Sequence, residues 1–355
     1  MINPYQSKDK YSFWSSGVAT AGDVVPEKIY TKKWDIGEHE KIATAGSCFA
    51  QHIGKKLKEK KYHVLDVELP PEGIPLKELT SYGYSMYSAR YGNIYTVRQL
   101  LQLAKEAFGL NKYENYIWKN EKGRFFDAFR PNIEPDGFDS YEEVVFHRQH
   151  HIGNVRKLFC EMDIFIFTMG LTEAWISSGD LVTYPTAPGT IAGEYDSSCF
   201  HFHNFNYTEI KDDFIEFLQI LKEFSPQKNK KFLLTVSPVP LTATATNMHV
   251  LPATVYSKSV LRAVAGDLSN ENSNIDYFPS YEIVSSPWLS FNFYEKNMRS
   301  VKNSGVELVM NSFFTEHPNF STKESIPNAD ENVLVETQVV CEDEILDAFS
   351  RKDNV

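Results

Sequence analysis

The sequence has few cysteines, no long apolar run and no excess of positive charge, and each shortage excludes a class of protein. Its four cysteines lie far apart without a Cys-x-x-Cys pair, which argues against a zinc ribbon or a disulfide framework and favours the cytoplasm. No apolar stretch approaches the roughly 18 residues of a membrane span, and the first ten residues are polar, so we expect neither anchor nor signal peptide. The formal net charge of −11 has the wrong sign for binding phosphate backbones, so we expect no nucleic-acid partner.

What is present is the composition of a folded protein in three parts. Of the 355 residues, 42% are hydrophobic and 23% are charged, which is typical of globular domains. Residues 1–40 have no sustained periodicity and predict an irregular arm, residues 41–315 form the body, and residues 316–355 form an acidic tail. Within that tail, Ile345, Leu346 and Phe349 could dock a short helix on the body or on a protein partner.

Short apolar runs alternate with helical periodicity through the body. Such alternation predicts an α/β fold with a doubly wound, mainly parallel sheet and helices on both faces. Two segments break the pattern and predict loop insertions, at 111–139 and 175–207. Ligand chemistry in such a fold is expected at the carboxyl ends of the strands. The strands are predicted at 41–45, 62–67, 163–169, 231–236 and 275–278, and the main helices at 97–108, 140–161, 208–224, 255–268 and 305–314.

Ser47 lies where the first predicted strand turns into a helix. A serine at this point is exposed at the sheet edge, and the helix N-terminus offers backbone N–H groups that stabilise an oxyanion. It is therefore a candidate nucleophile. The alternative interpretation is that Gly46-Ser47 only caps the helix, a position where serine is favoured. The neighbouring Cys48 is interpreted as a small buried side chain.

Six segments of the body carry a resemblance to a known family. The stretch Thr44 to Ala50 (TAGSCFA) contains the signature of the GSCFA family, and five further segments resemble that family in its order along the chain. These five are SARYGNIYT (88–96), FTMGLTEAW (167–175), TVSPVPL (235–241), YSKSVLRA (256–263) and YFPSYEI (277–283).

The GSCFA family is itself similar to the SGNH or GDSL-like hydrolases. That resemblance implies a flavodoxin-like three-layer α/β/α domain whose serine, here Ser47, attacks acyl esters. It also implies an oxyanion hole formed by the backbone N–H of Ser47 and by Gly92 or Asn93. Thr172 or Glu173 takes the place of the usual asparagine; a threonine hydroxyl can donate to the oxyanion, whereas an ionised glutamate would repel it. SGNH enzymes carry Asp-x-x-His near the C-terminus, but the equivalent register here reads Asn297-Met298-Arg299-Ser300, so both partners of the serine are missing there.

A serine without a base is a poor nucleophile at neutral pH, so another residue must replace the missing histidine. His249 follows the fourth predicted strand at the edge where Ser47 should emerge, and it is the best substitute. Glu173 or Glu282 would orient its ring. Its alternative role is that of a loop histidine that caps backbone or faces solvent.

The remaining histidines do not predict a metal site. His201 and His203 lie two residues apart, and no third ligand follows at a recognisable spacing. The other group, which consists of His147, His150 and His151 in a predicted helix, lacks the glutamate of a zincin motif. We therefore expect no metal.

Three basic residues could bind a phosphate or carboxylate of the substrate. Lys258 and Arg262 lie four apart on one helix, preceded by Tyr256, and Arg90 follows a predicted loop. The alternative is that these cations form salt bridges on a helix surface.

The preferred interpretation of the sequence is a serine-dependent esterase or O-acyltransferase acting on a polar, carbohydrate substrate. The aromatic-rich insertions would then form the acceptor pocket. A second interpretation is a catalytically inactive SGNH-like domain that binds a glycan or a protein. A third is an acyl-CoA-dependent acetyltransferase, in which CoA phosphates meet Arg90, Lys258 and Arg262.

Overall fold

A computed structural model describes residues 3–20, 25–73, 75–289, 292–318, 345–347 and 349. The helices and strands alternate along the body as the sequence predicts. The strands are β1 Ile42–Gly46, β2 Ile117–Lys119, β3 Phe125–Asp127, β4 Ile164–Met169, β5 Glu173–Ser177, β6 Thr183–Tyr184, β7 Phe200–Asn204, β8 Lys231–Val236 and β9 Ile275–Tyr277. The α-helices are α1 Phe49–Glu59, α2 Leu76–Ser81, α3 Val97–Ala107, α4 Tyr141–Glu161, α5 Tyr207–Phe224, α6 Val250–Glu271, α7 Ser280–Ser285 and α8 Asn303–Glu316.

The core is a parallel sheet with strand order β1-β4-β8-β9. Its strands are almost continuously buried because helices cover both faces. Helices α3, α4, α5 and α6 pack on one face, while α1, α7 and α8 pack on the other together with Tyr30 and Ile36 of the N-terminal arm. The predicted three-layer α/β/α fold is thus confirmed.

The predicted strand at 62–67 is reduced to a single parallel bridge between Val64 and Ile42. The chain leaves β1 beyond that bridge, and the Val67 N–H bonds to the carbonyl of Ser88 instead. The segment around Ser88 takes up the edge of β1, since its hydroxyl accepts from the Thr44 N–H at 2.9 Å. This non-local competition shortens the second strand. It also brings residues 88–95 alongside Ser47.

The two insertions contain strands that the sequence did not predict. Strands β2 and β3 form a small antiparallel hairpin within 111–139, and strands β6, β5 and β7 form a three-stranded antiparallel sheet. This second sheet begins at Glu173, and only three residues separate it from the end of β4. It therefore stands directly over the carboxyl ends of the core strands.

The N-terminal arm contributes to the core only from residue 25 onwards in the described ranges. Trp34 of the arm packs against the core, whereas Trp14 is exposed and contacts Trp288 edge to face. Most of the predicted acidic tail lies outside the described residues. Across the described ranges, no helix has both the length and the apolar character needed to cross a bilayer.

Candidate functional site

Ser47 follows the last residue of β1 and precedes α1, at the carboxyl edge of the parallel sheet. The turn depends on Gly46, whose φ of 139° is a backbone conformation that other residues rarely adopt. A methyl group at Gly46 would also lie within 2.8 Å of Thr168 on β4. The Ser47 N–H donates to the Thr168 carbonyl at 3.1 Å. This amide, predicted to hold an oxyanion, is therefore occupied by the neighbouring strand.

The Ser47 side chain is 2% exposed, and its hydroxyl has no hydrogen-bond partner among the described residues. It packs against Gly170, the first residue after β4, where an added methyl group would lie 2.8 Å from Ser47 Cβ. The carbonyl of Tyr95 accepts from the N–H groups of Gly170 and Leu171 at 3.0 and 2.9 Å. The loop after β4 is thus fixed against Ser47.

Thr172 lies two residues beyond Gly170 and is fully buried. Its backbone N–H donates to the hydroxyl of Ser257 at 3.1 Å. Its own hydroxyl has no partner among the described residues, as at Ser47. The predicted oxyanion residue thus has an uncommitted donor on the same loop that packs against the candidate nucleophile.

Lys258 reaches the same loop from α6. Its side chain is 1% exposed, and its Nζ donates to the Gly170 carbonyl at 2.7 Å. The sequence predicts a surface cation here, either binding substrate or forming a salt bridge. The structure instead places this ammonium group inside the fold, at the carboxyl edge of the sheet.

The residues predicted to activate Ser47 have other partners in the structure. His249 is exposed at the N-terminus of α6, where its Nδ1 accepts the Leu251 N–H at 3.1 Å. Glu282 accepts from Arg262 and from the Tyr277 hydroxyl. Neither arrangement forms a serine–histidine–carboxylate triad. Their catalytic roles stay predictions.

Glu173 lies in the wall of a cavity beside this loop. Its carboxylate accepts from the Thr244 hydroxyl at 2.7 Å and from the Ala245 N–H at 3.3 Å. Burial raises its pKa above the ordinary value for glutamate. It therefore remains a candidate for proton transfer or for binding a substrate hydroxyl.

The other predicted residues have identifiable surroundings. Gly92 has a φ of 67°, which a turn beside Ser47 requires, and Asn93 accepts from Gln51 at 3.3 Å. Arg90 is 5% exposed and bonds to the Ile133 carbonyl and to Glu134. Tyr256 is 43% exposed. The cations predicted to meet CoA thus form no common exposed patch, because Lys258 is buried and Arg262 pairs with Glu282.

A cavity of roughly 190 Å³ opens between the second sheet and the loop after β8. Its wall combines aromatic rings, threonine hydroxyls and the Glu173 carboxylate, and the tail residue Leu346 closes one side. The lining residues are Leu171, Glu173, Ala174, Trp175, Tyr184, Pro185, Thr186, Ala187, Thr190, Phe202, Leu241, Thr242, Ala243, Thr244, Ala245 and Leu346.

A second buried cluster surrounds His151. The prediction of a solvated helix face is wrong for this residue. The ring is fully buried, and its Nδ1 lies 2.7 Å from the Glu68 carboxylate. Asp127 binds both Arg130 and Arg148 nearby, at 2.7 and 3.3 Å. Periodicity could have signalled burial, because His151 lies four residues before the core residue Val155 on α4. Glu68, 83 residues away, carried no such signal.

The other histidines are not grouped as metal ligands. His201 is exposed, whereas His203 binds Glu209 at 2.8 Å. In the part of the chain that the structure describes, there is no group of three or more His, Cys, Asp or Glu residues that could hold a metal ion.

Comparison with known proteins identifies the family and adds no activity. A search of curated proteins finds no significant match to the chain. The family model for GSCFA matches residues 41–313, which include β1, the Ser47 turn, the loop after β4 and helix α6. The predicted resemblance is confirmed, and the chain belongs to the GSCFA family.

Proposed function

We propose that the chain is a serine-dependent esterase or O-acyltransferase in which Ser47 carries the acyl group. The observation that supports this most is the Ser47 hydroxyl, which lies at the carboxyl edge of a parallel sheet without a hydrogen-bond partner among the described residues. A buried unpaired hydroxyl costs roughly 1–3 kcal/mol, so its position calls for an explanation. A nucleophile reserved for substrate provides one.

Ser47 would attack the carbonyl carbon of an acyl ester, and Thr172 would donate its hydroxyl to the developing oxyanion. Both hydroxyls lack partners among the described residues; Ser47 packs against the loop that begins at Gly170, and Thr172 lies on that loop. A donor held in place before the reaction stabilises charge without reorganisation. The tetrahedral adduct would collapse by breaking the bond to the ester's alcohol, which leaves with the proton from Ser47. Water or an acceptor hydroxyl would then take the acyl group and return a proton to Ser47.

The neighbouring cavity suits a polyhydroxylated acceptor. Trp175 and Phe202 offer apolar ring surfaces, while Thr186, Thr244 and Glu173 supply hydroxyl and carboxylate groups for hydrogen bonds. Few convergent polar groups on an apolar wall are typical of small-molecule sites. A carbohydrate hydroxyl is therefore the acceptor that we propose, and Glu173 would bind or deprotonate it.

A fluorophosphonate probe tests the nucleophile directly. The wild-type protein should form one covalent adduct, which peptide mapping places on Ser47, and the Ser47→Ala variant should form none. Ser225→Ala is the matched control, because Ser225 is also buried but lies at the opposite end of the sheet, where its hydroxyl bonds to the Phe159 carbonyl. An adduct that persists in Ser47→Ala would contradict the proposal.

A non-catalytic binding domain at the same cleft is the second candidate, and two observations favour it. Ser47 is only 2% exposed, and His249 faces solvent rather than the serine. In that case the wild-type protein would show neither labelling nor turnover of short-chain acyl esters. Oligosaccharides would still bind, and Trp175→Ala would weaken that binding.

A further inference from the structure

A small polar cavity lies where helices α3 and α4 meet the two insertions. Its volume is roughly 20 Å³. In the described part of the chain, it shares no lining residue with the larger cavity beside Glu173. We call it the His151 cavity, and the polar residues of its wall include Tyr91, Asn93, Gln102, Arg148, His151 and Thr183.

One nitrogen of the His151 ring is a hydrogen-bond acceptor without a described partner. Burial lowers the pKa of His151 to about 4, so the ring is neutral at neutral pH and carries a single N–H. Its Nδ1 lies 2.7 Å from the Glu68 carboxylate, which also accepts the Arg90 N–H at 2.6 Å, so the ring N–H belongs to Nδ1. Nε2 is therefore an acceptor. It is buried and has no partner among the described residues.

Other polar groups of the wall are already bonded within the protein. The Tyr91 hydroxyl donates to the Thr44 carbonyl, and the Gln102 side chain bonds to both backbone groups of Thr183, at 2.9 and 3.3 Å. Arg148 donates to two carboxylates. The hydroxyl of Thr183 differs from these groups, because it is buried and has no partner among the described residues. The cavity wall thus contains two unsatisfied atoms, one on a ring and one on a hydroxyl.

The cavity has the size and the chemistry of a site for one water molecule. Such a site needs about 10–15 Å³ and two to four polar partners, and bound water commonly satisfies buried polar atoms that lack a protein partner. The charges around the cavity also favour a neutral molecule. An anion would face the lone pair of His151 Nε2, whereas a cation would face the Arg148 guanidinium in the same wall.

We propose that the His151 cavity binds one water molecule, which donates to His151 Nε2 and accepts a hydrogen bond from the Thr183 hydroxyl. This inference does not depend on the proposed function. The water connects α4 to strand β6 of the second sheet, because its two partners lie on these elements. The cavity wall also includes Asn93 and Ile94, and the Ile94 N–H donates to the Gly46 carbonyl at 2.8 Å. The site therefore joins the insertions to the segment that holds the Ser47 turn.

A crystal structure of the wild-type protein, at a resolution that shows ordered solvent, tests the site directly. One water oxygen should lie within about 3.2 Å of both His151 Nε2 and Thr183 Oγ1. A cavity without density would overturn the proposal, and so would a water bonded to only one of these atoms. Density for an ion, or a direct bond between the Thr183 hydroxyl and the ring, would overturn it as well.

Thr183→Val tests the same site in solution through the sign of its effect on stability. A buried hydroxyl without any partner destabilises a fold, so its replacement by valine should stabilise the protein or leave it unchanged. A hydroxyl that binds the water has the opposite effect, because valine removes one hydrogen bond of the water. We therefore expect the unfolding equilibrium constant, measured in urea, to rise about five-fold in Thr183→Val. An unchanged or lower constant would contradict the proposal.

Thr44→Val is the matched control. Thr44 is 1% exposed and its hydroxyl also has no partner among the described residues, but it lies outside the wall of the His151 cavity. It packs against Gly54 of α1, where an added methyl group would lie 3.2 Å from Thr44 Oγ1. Thr44→Val should therefore be at least as stable as the wild type. Equal destabilisation of the two variants would assign the loss to packing and refute the stability argument for the water.

Oxygen-17 relaxation dispersion of the solvent gives a readout that does not depend on stability, because it counts water molecules that stay bound longer than the protein tumbles. Thr183→Val should hold one such water fewer than the wild type, whereas Thr44→Val should hold the same number. An equal count in all three proteins would overturn the proposal, whatever their stabilities. If Thr183→Val does not fold, the crystal structure of the wild type decides between the same outcomes.

Discussion

Replacing His151 with glutamine should remove one contribution to the acid sensitivity of the fold, which His52 and His317 share because burial lowers the pKa of both to about 4 as well. Burial, reinforced by the nearby Arg130 guanidinium, lowers the pKa of His151 from 6.5 to about 4, although the Glu68 carboxylate acts in the opposite direction. In the unfolded chain the imidazole of His151 therefore binds a proton below pH 6.5, whereas in the folded protein it does so only below about pH 4. The stability that depends on the neutral ring is complete above pH 6.5 and is lost as the pH falls through this interval.

The size of the effect follows from the pKa difference. A pKa lowered from 6.5 to about 4, at about 1.36 kcal/mol for each pH unit, corresponds to roughly 3 kcal/mol of unfolding free energy lost between pH 6.5 and 4. Urea unfolding followed by tryptophan fluorescence at several pH values measures this loss. The His151→Gln variant should show a shallower dependence by about this amount, whatever its stability at neutral pH.

The control is His150→Gln, which removes an exposed histidine from the same helix and should retain the wild-type dependence. If the unfolding free energies of wild type and His151→Gln run parallel across this pH range, the reasoning is refuted. Such a result would mean that the ring takes up its proton in the folded protein as easily as in the unfolded chain.

Three further predictions concern other parts of the fold. Gly46→Ala should abolish soluble expression or sharply lower the melting temperature, because the new methyl group meets Thr168 in a backbone conformation unfavourable to alanine; a wild-type melting curve would contradict this. Asp127→Asn should cost about 3–5 kcal/mol in chemical denaturation by leaving two buried arginines without their shared carboxylate, and a loss below about 1 kcal/mol would argue against that pairing. Ending the chain after residue 340 removes Leu346 from the cavity wall and should speed probe labelling, so an unchanged rate would show that the tail does not limit access.

Local signals in the sequence were sufficient for the core of the fold. The buried run at 164–169 and the strand–turn–helix at Ser47 each depend on neighbours within about ten residues, and both are present in the structure. The prediction of a strand at 62–67 was wrong. Ser88 takes the place of this segment beside β1, and no local pattern in the sequence reveals that competition. The strands of the insertions are two to five residues long and too short for a reliable period.

The candidate site was predictable only in part, for a similar reason. Ser47 follows from its position after a parallel strand, whereas Thr172 was implied only by the resemblance to the SGNH hydrolases. The burial of Lys258 does not follow from the sequence, because a lysine four residues from an arginine on a helix has the pattern of an exposed face. Only the crossing of α6 over the loop after β4 determines that Nζ reaches the Gly170 carbonyl.

The hydroxyls of Ser47 and Thr172, which have no partner among the described residues, lower the stability of the fold in favour of its chemistry. Each lowers the free energy of unfolding by about 1–3 kcal/mol relative to a hydrogen-bonded or absent polar group. The variants Ser47→Ala and Thr172→Val should therefore have a higher melting temperature than the wild-type protein. Selection for thermal stability alone would favour the replacement of these two residues, and that replacement would abolish the reaction that we assign to them.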